Sequence, residues 1–173
     1  MVLPQVADNH DVDRVTTSIN KKAHLYPLYT ILFAMPGVPS VYYGSEWKIE
    51  GHKGGYNDIE IRPALEIGRM NSEYETDLIG YISTLSKVRN QENILKYGSY
   101  RELFVKSEQF GFEREYEDEI VNIMVNSSDN EVTVNERGIK NGKYYDLIKR
   151  EEIEIWNNSV ILEGNSGRIL KRV

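Results

Sequence analysis

Apolar positions change their period twice along the chain. Residues Met1 to Ala7 are apolar apart from Gln5, which predicts a short buried strand; Pro4 lacks a ladder donor and places it toward an edge. Asp8 to Asn20 is polar. From Lys21 the period becomes helical, with Leu25, Leu28, Tyr29, Leu32 and Phe33 at the i, i+3, i+4, i+7, i+8 spacing of one buried face. Pro27 falls in the first turns, where a missing N–H is tolerated, and Pro36-Gly37 stops the helix. Val38 to Tyr43 then reads as a second strand, with Pro39 at its start. Strand, helix and strand joined by a crossover of this length form the βαβ unit of a parallel sheet.

Gly44 to Arg69 shows no sustained period and is rich in glycine and charge, so it reads as a long loop of the kind that lines functional sites. A second helix is predicted over Asp77 to Asn90, capped by Thr76, with Leu78, Ile82, Leu85 and Val88 facing inward. Beyond Asn93 short strands take over: Tyr100–Lys106, Gln109–Tyr116, Ile120–Asn126, Glu131–Asn135, Lys143–Ile148, Glu152–Trp156, Val160–Glu163 and Arg168–Val173. Asp129-Asn130, Asn141-Gly142 and Asn165-Ser166-Gly167 punctuate them as turns. The expected fold class is α/β plus all-β, divided near Ile94 into a parallel α/β part and an antiparallel sandwich or barrel.

Composition narrows the partners. The 173 residues are 40% apolar and 28% charged, ordinary for a globular chain with one good core or two small ones. A net charge of −6 without clustered Lys and Arg argues against a nucleic-acid partner. The acidic run Glu113 to Glu119 reads as a solvated turn. No stretch approaches the roughly 20 apolar residues of a membrane span, since Leu25 to Met35 is bounded by Pro36, and no membrane partner is expected. The absence of cysteine excludes disulfides, thiolate metal sites and a cysteine nucleophile, and slightly favours the cytoplasm. Asn126-Ser127-Ser128 and Asn157-Asn158-Ser159 match the glycosylation sequon, which signifies nothing without a secretory context.

Two blocks carry candidate chemistry. Asn9-His10-Asp11 follows the first strand, where parallel α/β folds gather ligands; as an ordinary loop it would instead let Asp11 or Asp13 cap the next helix. His10, His24 and His52 stand at no metal-ligand spacing, so no catalytic metal is expected. The second block runs from Gly37 to Glu46. A buried strand accounts for its apolar residues, but not for Gly37, Pro39, Gly44 and Glu46 in sequence.

Together the two blocks resemble the alpha-amylase family of glycoside hydrolases, whose barrels carry an Asn-His-Asp after the seventh strand and a Gly-Val/Ile-Pro-x-x-Tyr-Tyr-Gly-x-Glu segment at the eighth. Arg14, three residues beyond Asp11, and the helix end Met35-Pro36-Gly37 fit the same pattern. Gly54-Gly55 followed by Arg62-Pro63 resembles the branch that cleaves cyclodextrins, pullulan and short maltodextrins. That branch often shows a paired acidic motif and two arginines, where this chain reads Asn57-Asp58-Ile59-Glu60-Ile61-Arg62. Leu78 to Arg89 is similar to the family's last barrel helix, and Tyr97-Gly98-Ser99-Tyr100 to the entry of its C-terminal β-domain. Phe112-Glu113-Arg114 and Val121 to Asn126 fit that domain as well.

The resemblance implies that residues 1–93 are the last two βα units of a TIM (β/α)8 barrel and residues 94–173 a C-terminal antiparallel β-sandwich. It implies retaining hydrolysis of alpha-glucans, with Asp11 as transition-state stabiliser and His10, Asn9 and Arg62 binding substrate. The family's nucleophile Asp and acid/base Glu, carboxyl groups roughly 5 Å apart, have no counterpart in this sequence. Glu46, Glu50, Asp58 and Glu60 are expected as solvated loop charges, and the chain alone as inactive. No cofactor is implied; any structural calcium would lie outside this sequence. The expected partners are an alpha-glucan oligosaccharide and, through open strand edges, either a second copy or the N-terminal barrel portion. Met1 falls inside the supposed seventh strand, which favours an artificial or mis-called start over a natural domain boundary. Competing readings are one half of a split enzyme, or a non-catalytic carbohydrate-binding or interaction module using Trp47, Trp156 or tyrosines.

Overall fold

Parallel pairing starts the fold in the computed structural model, which describes residues 4–54, 58–74 and 77–173. Strand β1 (Pro4–Val6) pairs with β2 (Val38–Ser40), Pro4 opposite Val38 and Val6 opposite Ser40. The crossover runs through α1 (Val15–Ser18), a 3-10 turn at Lys22–His24 and α2 (Leu25–Ala34), so the βαβ unit expected from the sequence is present. The predicted strand residues Met1 to Leu3 lie outside the described residues. Strand β2 stops before the predicted Tyr43, because β1 pairs with only three of its residues and the Tyr42 carbonyl then accepts the Ser45 N–H at 3.1 Å. The chain turns there through Gly44 at φ +93°, a conformation that a Cβ disfavours.

A 3-10 turn at Ser45–Trp47 and helix α3 (Ile67–Glu73) interrupt the stretch expected to be wholly loop. Only Met70 of α3 is buried, which leaves no apolar period to read in the sequence. Helix α4 (Asp77–Gln91) buries Leu78, Leu85 and Val88 as predicted and half-buries Ile82; Thr76, its predicted cap, lies outside the described residues. A short α5 (Asn93–Tyr97) follows, too brief to register as a periodic segment.

The rest is antiparallel: β3 (Ser99–Val105), β4 (Gln109–Tyr116), β5 (Glu119–Asn126), β6 (Val132–Asn135), β7 (Gly142–Asp146), β8 (Glu151–Ile155), β9 (Ser159–Leu162) and β10 (Ser166–Arg172). Every strand expected beyond Asn93 is found near its predicted place. Six of them form one sheet in the order β3-β4-β5-β10-β7-β8, while β6 and β9 make a separate ribbon. Strand β5 explains the layering, because its run Val121 to Asn126 is buried on both faces. Val121 and Ile123 join Phe112 and Ile169 against the helices, whereas Met124 joins Leu170 and Tyr144 under Val134, Val160 and Leu162 of the ribbon. Helix α2 lies so close to β10 that a Cβ on Gly167 would overlap the Thr30 side chain.

Two arginines cap the C-terminal end of α2, where helix carbonyls run out of partners. Arg114, fully buried, donates from Nη1 to the Ala34 carbonyl at 2.5 Å and the Leu95 carbonyl at 3.0 Å. Its Nε reaches the Ser99 carbonyl at 2.8 Å and its Nη2 the Gly98 carbonyl at 2.7 Å. Arg89 donates to the carbonyls of Phe33 at 2.6 Å and Met35 at 3.1 Å, and to that of Gly37. Burial, reinforced by the neighbouring charge of Arg89, pushes Arg114 down to about 10, so it remains a cation at neutral pH.

This corrects the reading of Glu113 to Glu119 as a solvated turn. The run begins inside β4, whose alternation sends Arg114 toward the helices and Glu113 toward Arg101, 2.7 Å away, and only Glu117-Asp118 forms the turn. Arg114→Met should leave those four carbonyls without this donor and lower unfolding stability by about 3 kcal/mol in a denaturant titration. An unchanged midpoint would show that the carbonyls find other donors.

Candidate functional site

The loop from Asp8 to Arg14 leaves the C-terminal end of β1, and its shape follows from one short polar side chain. Asn9 Oδ1 accepts the Asp11 N–H at 2.7 Å, an Asx-type turn. His10 Nε2 lies 3.1 Å from Asp11 Oδ2, and both side chains are more than half exposed. Arg62 arrives from the segment after β2 and donates through Nε and Nη2 to the His10 carbonyl at 3.2 and 3.0 Å. The same Nη2 lies 3.4 Å from Asp11 Oδ1 and 3.5 Å from Asp58 Oδ2. Arg62, 51 residues beyond Asp11, thus meets the consecutive Asn9, His10 and Asp11 at one open surface.

A neighbouring segment lies over this loop. Lys53 donates its N–H to Asp13 Oδ1 at 2.6 Å and its Nζ to the Asp11 carbonyl at 2.7 Å, while His52 Nδ1 stands 3.3 Å from Asp13 Oδ2. The Lys53 N–H, aided by His52, holds the Asp13 carboxyl below its ordinary value. Glu60 accepts the His52 N–H at 3.2 Å, and Glu50 pairs with Lys22 at 2.8 Å. Glu46 departs from the expected solvated charge, because its Oε2 is out of contact with solvent. Gly55 and Asn57 of the motif lie outside the described residues. Trp47 is half-buried and donates to Asn71 at 3.2 Å, whereas Trp156 is 66% exposed.

Sequence reasoning gave Asp8 no role beyond opening a polar stretch and found Arg14 only by resemblance. Asp8 is buried, and its Oδ2 accepts the Val15 N–H at 3.1 Å and the Ser45 hydroxyl at 2.7 Å. Asp8, rather than Asp11 or Asp13, therefore satisfies the first N–H of α1. Arg14 is fully buried, donates to the Tyr43 carbonyl at 2.6 Å and lies 4.2 Å from the centroid of the Tyr42 ring. Burial pushes the Tyr29 hydroxyl up, and the charges of Asp8 and Glu46 push it further. No signal in a polar stretch distinguishes an acid or base destined for burial from one left in water.

Chemically, the surface offers a carboxylate able to accept hydroxyl protons and an imidazole beside it. Among the described residues no group of three or more His, Cys, Asp or Glu could hold a metal ion, and no helix is long and apolar enough to cross a membrane.

No family model matches the chain. It is 28% identical over 173 residues to a cyclomaltodextrinase of Thermoanaerobacter pseudethanolicus, covering 98% of this chain and 28% of that protein. It is 29% identical over 154 residues to a cyclomaltodextrin glucanotransferase of Bacillus sp. strain 1-1, covering 86% of this chain and 21% of that one. The crystal structure of an Anoxybacillus alpha-amylase matches with a TM-score of 0.82 at 26% identity, over 99% of this chain and 38% of that one. The chain therefore spans under a third of the length of these two curated relatives.

Asp13 supplies a pH test. Its folded-state value is depressed, so its contribution to holding the Gly51–Gly54 segment is present above the ordinary aspartate value of about 3.9 and is lost as pH falls through the lower folded value. An NMR titration should place its midpoint below the ordinary value, and Lys53→Pro, which removes the N–H, should raise it back. An ordinary midpoint in the native chain would contradict the hydrogen bond.

Proposed function

We propose that this chain is a member of the alpha-amylase family, on the branch of the cyclomaltodextrinases and cyclomaltodextrin glucanotransferases, and that it forms the Asp11 side of the active site of a retaining hydrolase acting on alpha-glucans. In this reading residues 1–93 are the last two βα units of the (β/α)8 barrel and residues 94–173 its C-terminal antiparallel domain. The observation that carries it is the Asp11 carboxylate, exposed after a parallel strand and flanked by His10 at 3.1 Å and Arg62 at 3.4 Å. Barrel enzymes place their chemistry at that end of their strands.

Asp11 accepts hydrogen bonds from hydroxyls of the sugar whose ring flattens toward an oxocarbenium ion, and those bonds strengthen as positive charge develops. His10 braces the carboxylate through Nε2 and leaves Nδ1 for a hydroxyl of the same sugar. Arg62 holds the His10 carbonyl and meets Asp11, which keeps the loop in register with the segment after β2. Asn9 sets the turn that carries them.

Hydrolysis also requires a nucleophile and a general acid roughly 5 Å apart across the scissile bond. The nearby carboxylates Asp58, Glu60 and Glu50 are engaged by Arg62, His52 and Lys22. The reading therefore has the two missing groups come from a preceding barrel portion docked along β1 and β2, where Val6 and Val38 are exposed.

Maltooligosaccharide hydrolysis tests this with the chain alone and mixed with the preceding barrel strands of the cyclomaltodextrinase. The expected result is no turnover alone, turnover on mixing, and a loss of about a hundredfold or more in the mixture with Asp11→Asn. Turnover by the chain alone, or a mixture indifferent to Asp11→Asn, would overturn it.

Exposed Trp156 favours a second reading, a carbohydrate-binding module that stacks sugar rings. Maltoheptaose binding that survives Asp11→Ala and disappears with Trp156→Ala would support that reading instead.

A further inference from the structure

We infer that Asp8 and Arg14 are positioning residues, two buried pins that set where the Asn9-His10-Asp11 loop stands over the end of β2. The inference rests on the proposed role of that loop but goes beyond it. The pins bracket the exposed residues, and both reach the same segment after β2. Asp8 accepts from Ser45, while Arg14 donates its side chain to the Tyr43 carbonyl and its own N–H to the Gly51 carbonyl at 2.9 Å. The loop is thereby closed at its base on both sides.

Stability alone does not account for Arg14. Its Nε and Nη2 are buried without a hydrogen-bond partner among the described residues, as are Glu46 Oε2 and the Tyr29 hydroxyl close by. A buried cation with unmet N–H groups stabilises a fold less than a well-packed apolar side chain of similar volume. What the guanidinium supplies is a rigid plane, laid against the Tyr42 ring and fixed by one donor to Tyr43. That plane sets the position of the backbone three residues after Asp11. Asp8 sets the other end, because one oxygen accepts from both Val15 N–H and the Ser45 hydroxyl.

The test uses the 173-residue chain, labelled for NMR, and needs no sugar, so its failure is distinct from failure of the hydrolase reading. In Arg14→Met and Asp8→Ala the His10 ring signals and the amide signals of Asn9 to Asp13 should move toward unstructured values, while the β-sheet amides and the thermal midpoint stay in place. Asp8→Asn, which still presents an accepting oxygen, should restore the native loop signals. Arg14→Lys, which keeps the charge but lacks the plane, should not. Loop signals unmoved in both Arg14→Lys and Asp8→Ala with the fold intact would overturn the inference. So would loss of loop and sheet signals together in every variant, which would assign the pair to stability alone.

Discussion

The guanidinium of Arg114 stands where helix, helix and sheet meet, and much of the architecture depends on it. A helix that ends inside a protein leaves carbonyls that neither water nor a following turn satisfies. Here α2 ends against the sheet, and Arg114, from the middle of β4, takes up Ala34 together with the carbonyls of Leu95, Gly98 and Ser99. One planar donor set therefore ties the end of α2, the end of α5 and the start of β3. Arg89 does the same from α4 for Phe33, Met35 and Gly37. Two cations near each other in a core are costly, and they persist because each faces backbone oxygens at the negative end of a helix.

That junction reaches the candidate site through the chain itself. Fixing the end of α2 fixes Gly37, hence the start of β2, hence the register of β2 on β1. The far ends of both strands then stand side by side, with Asp8 against Ser45 and Arg14 against Tyr43. The apolar core works in parallel, since α2 sits on β5 and β10 and approaches the backbone closely at Gly167. A parallel pair of three residues on each strand is weak by itself and relies on this support.

Above the pins the character changes. His10, Asp11, Asp13, Arg62, Asp58, His52 and Lys53 satisfy one another at exposed or half-exposed positions, and such surface pairs are worth on the order of 1 kcal/mol or less. A ligand hydroxyl, if one bound here, would displace one of these contacts at small cost, whereas displacing Asp8 or Arg14 would break the base of the loop. The surface is thus adaptable to a ligand over a foundation that is not.

The sequence by itself determined the period of every long element, the place of nearly every strand beyond Asn93, and the two motifs that carry the family resemblance, because turn residues, alternation and helical spacing are local properties. It also singled out His10, Asp11 and Asn9 from their place after a strand, and Arg62 from the motif. It misread Glu113 and Arg114 as solvated, missed α3 and α5, and left Asp8 without a role. The reason is common to these: whether a charged side chain is in water or capping a buried helix end depends on what packs opposite it, and a short helix is held by contacts rather than by its own period. Only the tertiary structure could decide which carbonyls Arg114 would meet, and that Asp8 and Arg14 would close one loop against the residues after β2.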